Sequence, residues 1–179
     1  IGRGRLSNRT QCLSPPLATP LGSRVSFTED STPGAFRVNS DGAKAHRVLL
    51  VPACGGTPRP FLPSAVEAVW SPDHNHLAVY QPDPGDPIYV ADRNGGSPAR
   101  ICVDKPGLHQ HYLSWPPDSR YIHFVRGRPL DGMDVWRVAA TGGAAEGRTT
   151  HKSRVSHPTL TAQRTLTYVR PHSHGPGSR

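Results

Sequence analysis

Two stretches, Trp-Ser-Pro-Asp at residues 70–73 and Trp-Pro-Pro-Asp at residues 115–118, lie 45 residues apart and decide the fold. Five residues after the proline that the two copies share in alignment, each copy begins an apolar alternation, at Leu77 and Val79 in one and at Ile122 and Phe124 in the other. A run rich in β-branched and aromatic residues follows, at 88–91 and 135–138, and each run starts seven residues before a Gly-Gly pair. Because several features recur in one register, we interpret the two stretches as copies of one repeat.

An earlier copy fits the same frame. It starts at Pro20, places an apolar alternation at 25–27, and continues to Val-Leu-Leu-Val at 48–51, seven residues before Gly55-Gly56. In this frame its middle loop, residues 29–47, is longer than that of the other copies. Successive Gly-Gly pairs lie 40 and 47 residues apart, which is typical of the ~40–50 residues of a propeller blade.

Each copy is expected to form four short strands. The tryptophan closes the first strand, and the Pro-Asp turn leads to a second strand such as 77–80. The third strand, such as 88–91, is followed by Gly-Gly, whose positive φ suits a tight hairpin, and 100–103 is the outer strand. No sustained 3.6-residue period is present, so the chain is predicted to be all-β. The expected structural motif residues are Trp70, Pro72, Asp73, Gly95 and Gly96 in one copy and Trp115, Pro117, Asp118, Gly142 and Gly143 in the next.

A degenerate fourth copy starts at Ser-His-Pro, residues 156–158, and leads to Leu-Thr-Tyr-Val at 166–169. The sequence therefore predicts approximate blades at 18–64, 65–104 and 110–152, with part of a fourth at 153–170, and leaves 1–17 (a basic segment) and 171–179 unassigned. Propellers close with about 4–8 blades, so these three and a half blades are expected to be part of a larger propeller, with an atypical four-bladed closure as the alternative. Open blade edges would allow self-association.

The motif residues resemble the WD-like β-propeller repeats of TolB-type proteins, over about residues 18–170. The resemblance rests on Trp-Ser-Pro-Asp, Leu-Ala-Val-Tyr at 77–80, Ile-Tyr-Val-Ala-Asp at 88–92 and the Gly-Gly pair. It departs at His74, where the family usually has glycine. Similar repeats occur in sensor regions of bacterial kinases and in propellers that precede prolyl-oligopeptidase-type hydrolases. A TolB-like role would imply a periplasmic or extracytoplasmic location; no signal peptide is visible in the sequence itself.

The candidate binding face is a rim of loops. In a blade, the loops between the second and third strands share one rim with the connections between blades, and function on such scaffolds usually lies in loops. The mixed charge of this rim favours a polar protein or peptide partner. Solvated turns without any binding role would have the same composition, and this alternative stays open. The candidate residues are Asp83, Asp86, His109, His111, Arg126, Arg128, Asp131 and Asp134.

Charge and composition exclude other classes of partner. The 21 basic and 13 acidic residues give a net charge of +8, but the basic residues are scattered, so specific nucleic-acid binding is not expected. No run of about 18 apolar residues is present, so no membrane span is predicted. Three cysteines without Cys-x-x-Cys spacing indicate neither a disulfide framework nor a zinc knuckle.

No catalytic motif is found, and no cofactor is expected. Gly-x-Ser-x-Gly, the phosphate-binding Gly-x-x-x-x-Gly-Lys and His-Glu-x-x-His are all absent from the sequence. Three His-x-His pairs occur, but 74/76 and 109/111 fall on opposite rims and further ligands are not identifiable, so no metal site is predicted. The preferred function is therefore a non-catalytic interaction or sensor scaffold. The alternative is the propeller of a prolyl-oligopeptidase-like serine hydrolase, gating substrate access to a separate catalytic domain.

Overall fold

The chain folds into antiparallel four-stranded sheets arranged like successive blades. The computed structural model describes residues 25–26, 33–39, 46–52, 57, 59–128 and 131–170. The regular secondary structure of these residues consists of β-strands alone. The first sheet contains β1 (Val25–Ser26), β2 (Pro33–Asn39), β3 (His46–Pro52) and β4 (Arg59–Leu62), and the second contains β5 (Glu67–Trp70), β6 (His76–Tyr80), β7 (Ile88–Asp92) and β8 (Ala99–Cys102). The third contains β9 (His109–Ser114), β10 (Tyr121–Arg128), β11 (Gly132–Ala139) and β12 (Glu146–Gly147), and a final pair consists of β13 (Ser156–Leu160) and β14 (Leu166–Val169).

This architecture confirms the prediction of an all-β partial propeller with three and a half blades. Strand order follows chain order in every sheet, as expected of consecutive antiparallel strands joined by short turns. The sheets do not close into a ring. Within the described residues, no helix is long and apolar enough to span a membrane.

The first sheet corrects the strand assignment made from the sequence. Residues 25–27 were expected to be its second strand and 29–47 its middle loop, but β1 is the first strand and β2 lies within that expected loop. All seven residues of β2 pair with β3, from Pro33 opposite Pro52 to Asn39 opposite His46. The misassignment arose because the repeat was aligned on Pro20. The register places Pro33 within the second strand: it lies opposite Pro52, the last residue of β3, as His76 in β6 lies opposite Asp92, the last residue of β7.

The hydrophobic core consists of layers between neighbouring sheets. Between the first and second sheets it contains Val48, Leu50, Trp70, Leu77 and Val79, among others. Between the second and third it contains Val66, Tyr80, Ile88, Leu113, Trp115 and Phe124, among others. Between the third sheet and the β13–β14 pair it is smaller: Val125, Met133, Val135 and Val155. Each sheet therefore depends on its neighbours for burial of its apolar faces, as in other repeat architectures.

The Trp-x-Pro-Asp turns owe their shape to side-chain hydrogen bonds. Asp73 accepts a bond from the backbone N–H of Asn75 (3.2 Å), and Asp118 accepts one from that of Arg120 (3.0 Å). The hydrogen bond from Ser71 is the main reason why the pKa of Asp73 lies below its ordinary value. His74 adopts a left-handed φ of 55°, a conformation that glycine reaches most easily. This explains physically why glycine is usual at that position of the repeat.

Candidate functional site

The loops of the candidate rim leave the sheets at one end. Because successive strands are antiparallel, the β6–β7 and β10–β11 loops share that end with the β8–β9 and β12–β13 connections. The Trp-x-Pro-Asp turns and the Gly-Gly hairpins leave at the opposite end. The eight candidate residues are therefore considered by the loop or strand that carries each one.

Asp86 forms the centre of a buried polar network. It is 8% exposed, and its Oδ2 accepts a hydrogen bond from the backbone N–H of Gln110 (3.2 Å) and lies 2.9 Å from His109 Nδ1. Gln110 is fully buried and donates from Nε2 to the carbonyl oxygens of Gly85 (3.1 Å) and Asp86 (3.3 Å). The thiol of Cys102 donates to Gln110 Oε1 over 3.1 Å. These five residues join the second sheet to the third, and we call them the inter-blade latch.

The chemistry of the latch suits a permanent structural contact. Burial raises the pKa of the Cys102 thiol, so the sulfur keeps the proton that it donates to Gln110. Gly85 has a φ of 84°, and a Cβ at that position would lie 2.0 Å from the carbonyl oxygen of Asp104. Only glycine fits there. Asp86 itself has a φ of 46°, a left-handed conformation that is uncommon outside glycine and is held here by its buried partners.

Arg126 fixes the connection between the second and third sheets. Its Nε donates to Asp104 Oδ2, and its guanidinium lies 4.4 Å from the centre of the Trp136 ring. The Asp104 side chain is 6% exposed, so the pair is largely removed from solvent. The backbone N–H of Asp104 also donates to the carbonyl of Gly85 (3.0 Å), which ties this connection to the latch.

Asp134 plays the same role for the connection to β13. Its Oδ1 accepts hydrogen bonds from the hydroxyl of Thr149 and the backbone N–H of His151, both over 2.7 Å. Its Oδ2 accepts one from the backbone N–H of Lys152 (3.2 Å). One carboxylate therefore organises a connection that has few regular backbone hydrogen bonds of its own.

The remaining candidates lie nearer the surface. Asp83 is exposed in the β6–β7 loop, and its carbonyl accepts the backbone N–H of Asp86 (2.8 Å). Arg128 and Asp131 flank the β10–β11 loop, 3.8 Å apart, with side chains 60% and 70% exposed. His111 is half-buried and meets the Tyr112 ring edge-on at 4.7 Å. The structure thus separates exposed charges from four candidates engaged within the chain, Asp86, His109, Arg126 and Asp134.

The residues that sequence reasoning missed are Gln110, Asp104 and Glu67. Glu67 Oε2 accepts the backbone N–H of Tyr112 over 3.0 Å, which links the first strands of two neighbouring sheets. Gln110 carried almost no signal, because it lies in a strand, His109–Ser114, in which polar residues outnumber apolar ones. That signal marks a buried polar position but does not identify its partners, which lie in another blade.

At the opposite end, the repeat tryptophans serve packing. Trp70 and Trp115 are 8% and 7% exposed, and Trp115 Nε1 donates to the carbonyl of Val69 in the neighbouring sheet (2.9 Å). Gly95 has the expected positive φ, 83°, as do Gly142 (90°) and Gly143 (122°). Gly96 has a different reason to be glycine: a Cβ there would lie 2.5 Å from the carboxylate of Asp92. Gly55-Gly56 lie outside the described residues.

The histidine pairs at 74/76 and 109/111 lie at opposite ends of the sheets. Over the described part of the chain, no group of three or more His, Cys, Asp or Glu side chains is close enough together to hold a metal ion.

Solved structures similar to this chain are propellers with diverse activities. No protein-family model and no curated protein sequence matches it. A TolB-type protein from Agrobacterium tumefaciens is 24% identical, with a TM-score of 0.61 over 78% of this chain and 52% of that protein. An oligogalacturonate lyase from Vibrio parahaemolyticus (12% identical, TM-score 0.61) matches over 87% and 49%. An acylaminoacyl peptidase from Pyrococcus horikoshii (17%, TM-score 0.55) matches over 74% and 25%.

These likenesses confirm the resemblance to TolB-type propellers and define the fold. The chain spans about half the length of the first two proteins and a quarter of the third. Non-enzymatic and enzymatic propellers both occur among the similar structures, so the fold by itself does not select an activity. The chain is therefore a partial β-propeller whose fold is similar to that of TolB-type proteins.

Proposed function

We propose that the chain is a non-catalytic propeller scaffold that binds a protein or peptide through the rim carrying Asp83, Arg128 and Asp131. The observation that supports this most is the inter-blade latch directly beneath the β6–β7 loop. Asp86, in a left-handed conformation, and the fully buried Gln110 hold that loop in one arrangement, with Asp83 facing solvent. The division into blades at 18–64, 65–104, 110–152 and 153–170 belongs to the same proposal.

Rigid presentation of exposed charges is favourable for recognition. A loop already fixed in one conformation loses little conformational entropy when a partner binds, so more of the interaction energy remains as affinity. Strained backbone held by its surroundings also tends to occur where function requires a defined geometry. Charges of both signs on neighbouring loops provide selectivity for a partner of complementary pattern more than raw affinity.

A selection from a peptide library would test this proposal. Peptides selected on the unmodified chain are expected to bind at least tenfold more weakly to a rim variant, Asp83→Lys/Arg128→Glu/Asp131→Lys. The control makes the same net change in charge on exposed residues at the opposite end, Asn94→Lys/Thr141→Lys, and should keep the affinity within twofold. Equal losses in both variants, or no enrichment of peptides over a blank surface, would contradict rim binding.

The alternative function is a propeller that gates access to a hydrolase domain. The likeness to the acylaminoacyl peptidase, over 74% of this chain, is the observation that favours it. At 17% identity this likeness concerns the fold alone. The two proposals differ in their requirement for flanking sequence, because the alternative needs an α/β-hydrolase domain with a Gly-x-Ser-x-Gly elbow in the same protein. Both proposals expect these blades alone to turn over no substrate.

A further inference from the structure

A cavity of about 650 Å³ lies between the third sheet and the β13–β14 pair. Its charge differs from that of the loop rim, because four of its five charged lining residues are arginines. Its charged lining consists of Arg120, Arg137, Arg148 and Arg164, with Asp118 as the one carboxylate. Apolar side chains complete the wall: Pro116 and Pro117 from the third sheet, and Leu160 and Leu166 from the β13–β14 pair. Cavities of ~300–1,000 Å³ with an apolar lining and a few convergent polar groups are typical of small-molecule sites.

A buried histidine also lines this cavity without a partner. His123, in β10, is 3% exposed, and no hydrogen-bonding group lies within reach of its Nδ1 among the described residues. Most buried polar side-chain atoms in proteins are hydrogen-bonded, because an unpaired one loses its interaction with water without replacement. Burial, followed by the charges of Arg137 and Arg148, lowers the pKa of His123 to about 4. The imidazole is therefore neutral at pH 7, and its ring offers one donor and one acceptor.

One of the four arginines is held in place and three are not neutralised. Arg137 donates to Glu146 Oε2 from Nε (2.9 Å) and Nη2 (2.7 Å), and its guanidinium stacks 4.4 Å above the Tyr121 ring. Among the described residues, no carboxylate lies within salt-bridge distance of the other three, Arg120, Arg148 and Arg164. The cavity therefore carries a surplus of positive charge around a neutral, unpartnered imidazole.

We propose that this cavity binds a small organic anion, a carboxylate or phosphate group attached to an apolar body. The anionic group would pair with Arg120 and Arg148 and accept a hydrogen bond from His123, since guanidinium groups match both carboxylate and phosphate geometry. The apolar body would pack against Leu160 and Leu166. This site is independent of the rim in the proposed function, because it lies between sheets and uses none of the rim residues.

Calorimetric titration of the full chain with phenyl phosphate and with benzoate tests the proposal and distinguishes the two head groups. Binding of at least one is expected, with benzamide, the neutral analogue, binding at least tenfold more weakly. The variant Arg120→Gln/Arg148→Gln should bind the preferred anion at least tenfold more weakly. A control with the same loss of charge on exposed residues outside this cavity, Arg93→Gln/Arg100→Gln, should remain within twofold.

A second measurement on the unmodified chain avoids dependence on the variants. Saturation with the bound anion should raise the pKa of His123, followed by its ring proton resonances, because a neighbouring negative charge favours the imidazolium. The proposal is overturned if neither anion binds at millimolar concentration, if benzamide binds equally well, or if the control variant loses as much affinity. An unchanged His123 titration at saturation would also overturn it.

Discussion

Replacing Gln110 with leucine removes the polar centre of the inter-blade latch and keeps a side chain of similar volume. Three hydrogen bonds disappear: two from Nε2, to the carbonyls of Gly85 and Asp86, and one accepted by Oε1 from Cys102. The bond from the backbone N–H of residue 110 to Asp86 Oδ2 is unaffected. The change therefore isolates the side-chain bonds between the second and third sheets.

The expected cost is about 2–4 kcal/mol in the free energy of unfolding. The carbonyl of Gly85 still receives the N–H of Asp104 (3.0 Å), so only one lost bond applies there, at about 0.5–1.5 kcal/mol. The carbonyl of Asp86 loses a bond to Nε2 at a buried position, and an orphaned buried acceptor costs about 1–3 kcal/mol. The thiol of Cys102 is a weak donor and adds little.

Urea unfolding followed by tryptophan fluorescence measures this cost. The midpoint should fall with an unchanged denaturant slope, because the surface exposed on unfolding stays the same. A cost of about 3 kcal/mol corresponds to a melting temperature lower by about 6–12 °C for a chain of this size. The control Gln163→Leu, in the exposed turn between β13 and β14, should remain within about 0.5 kcal/mol. If Gln110→Leu also remains within 1 kcal/mol, the latch does not hold the sheets together.

Two further predictions concern the third sheet. His123 is held neutral with a pKa of about 4, against 6.5 when unfolded, so the unfolded chain takes up the proton first as the pH falls. The free energy of unfolding should then fall by up to about 3 kcal/mol between pH 6.5 and 4. Urea titrations at both pH values should show that His123→Phe abolishes this part of the fall. An identical fall in the variant would show that His123 is not its cause. Gly132 has a φ of 104°, and a Cβ there would lie 2.4 Å from the Lys152 backbone, so Gly132→Ala should cost about 2–4 kcal/mol. Gly107 has a φ of 87°, but an added Cβ there would meet no other atom, so Gly107→Ala should cost only the ~1–2 kcal/mol of backbone strain. If thermal unfolding gives the same cost for Gly107→Ala and Gly132→Ala, the predicted clash at Gly132 is refuted.

The repeat could be predicted from the sequence because its signals are local. The Pro-Asp turn after Trp70 and the hairpin at Gly95 each depend on residues within a few positions, and the structure contains both turns. The frame failed in the first sheet, where the alignment on Pro20 placed a strand too early. The apolar alternation at Val25 and Phe27 has the same local pattern as the start of a second strand, so the sequence alone could not show that the first strand, β1, begins there instead.

The candidate site could be predicted only as a surface. Strand order placed Asp83 and Asp86 on one rim, but the sequence gives no reason to treat these two aspartates differently. Their difference in burial arises from the seating of the β6–β7 loop on the third sheet, where Asp86 meets Gln110, 24 residues further along the chain. Such contacts depend on the angle and distance between sheets, which no local pattern encodes.

The two interfaces of the third sheet differ in how they satisfy charge. Towards the second sheet, Arg126 pairs with Asp104 and His109 with Asp86, so these side chains meet partners from the chain itself. Towards the β13–β14 pair, the apolar cluster is smaller and the arginines around His123 find no carboxylate across the gap among the described residues. The three arginines without a carboxylate partner, Arg120, Arg148 and Arg164, are exposed, so water weakens the repulsion between them but leaves the cavity with a net positive charge. The proposed anion would supply negative charge there and would stabilise the folded chain by an amount that grows with the logarithm of its concentration above its Kd. The third sheet therefore has a contact completed by the chain's own residues on one side and, on the other, the positively charged cavity for which we propose an anion.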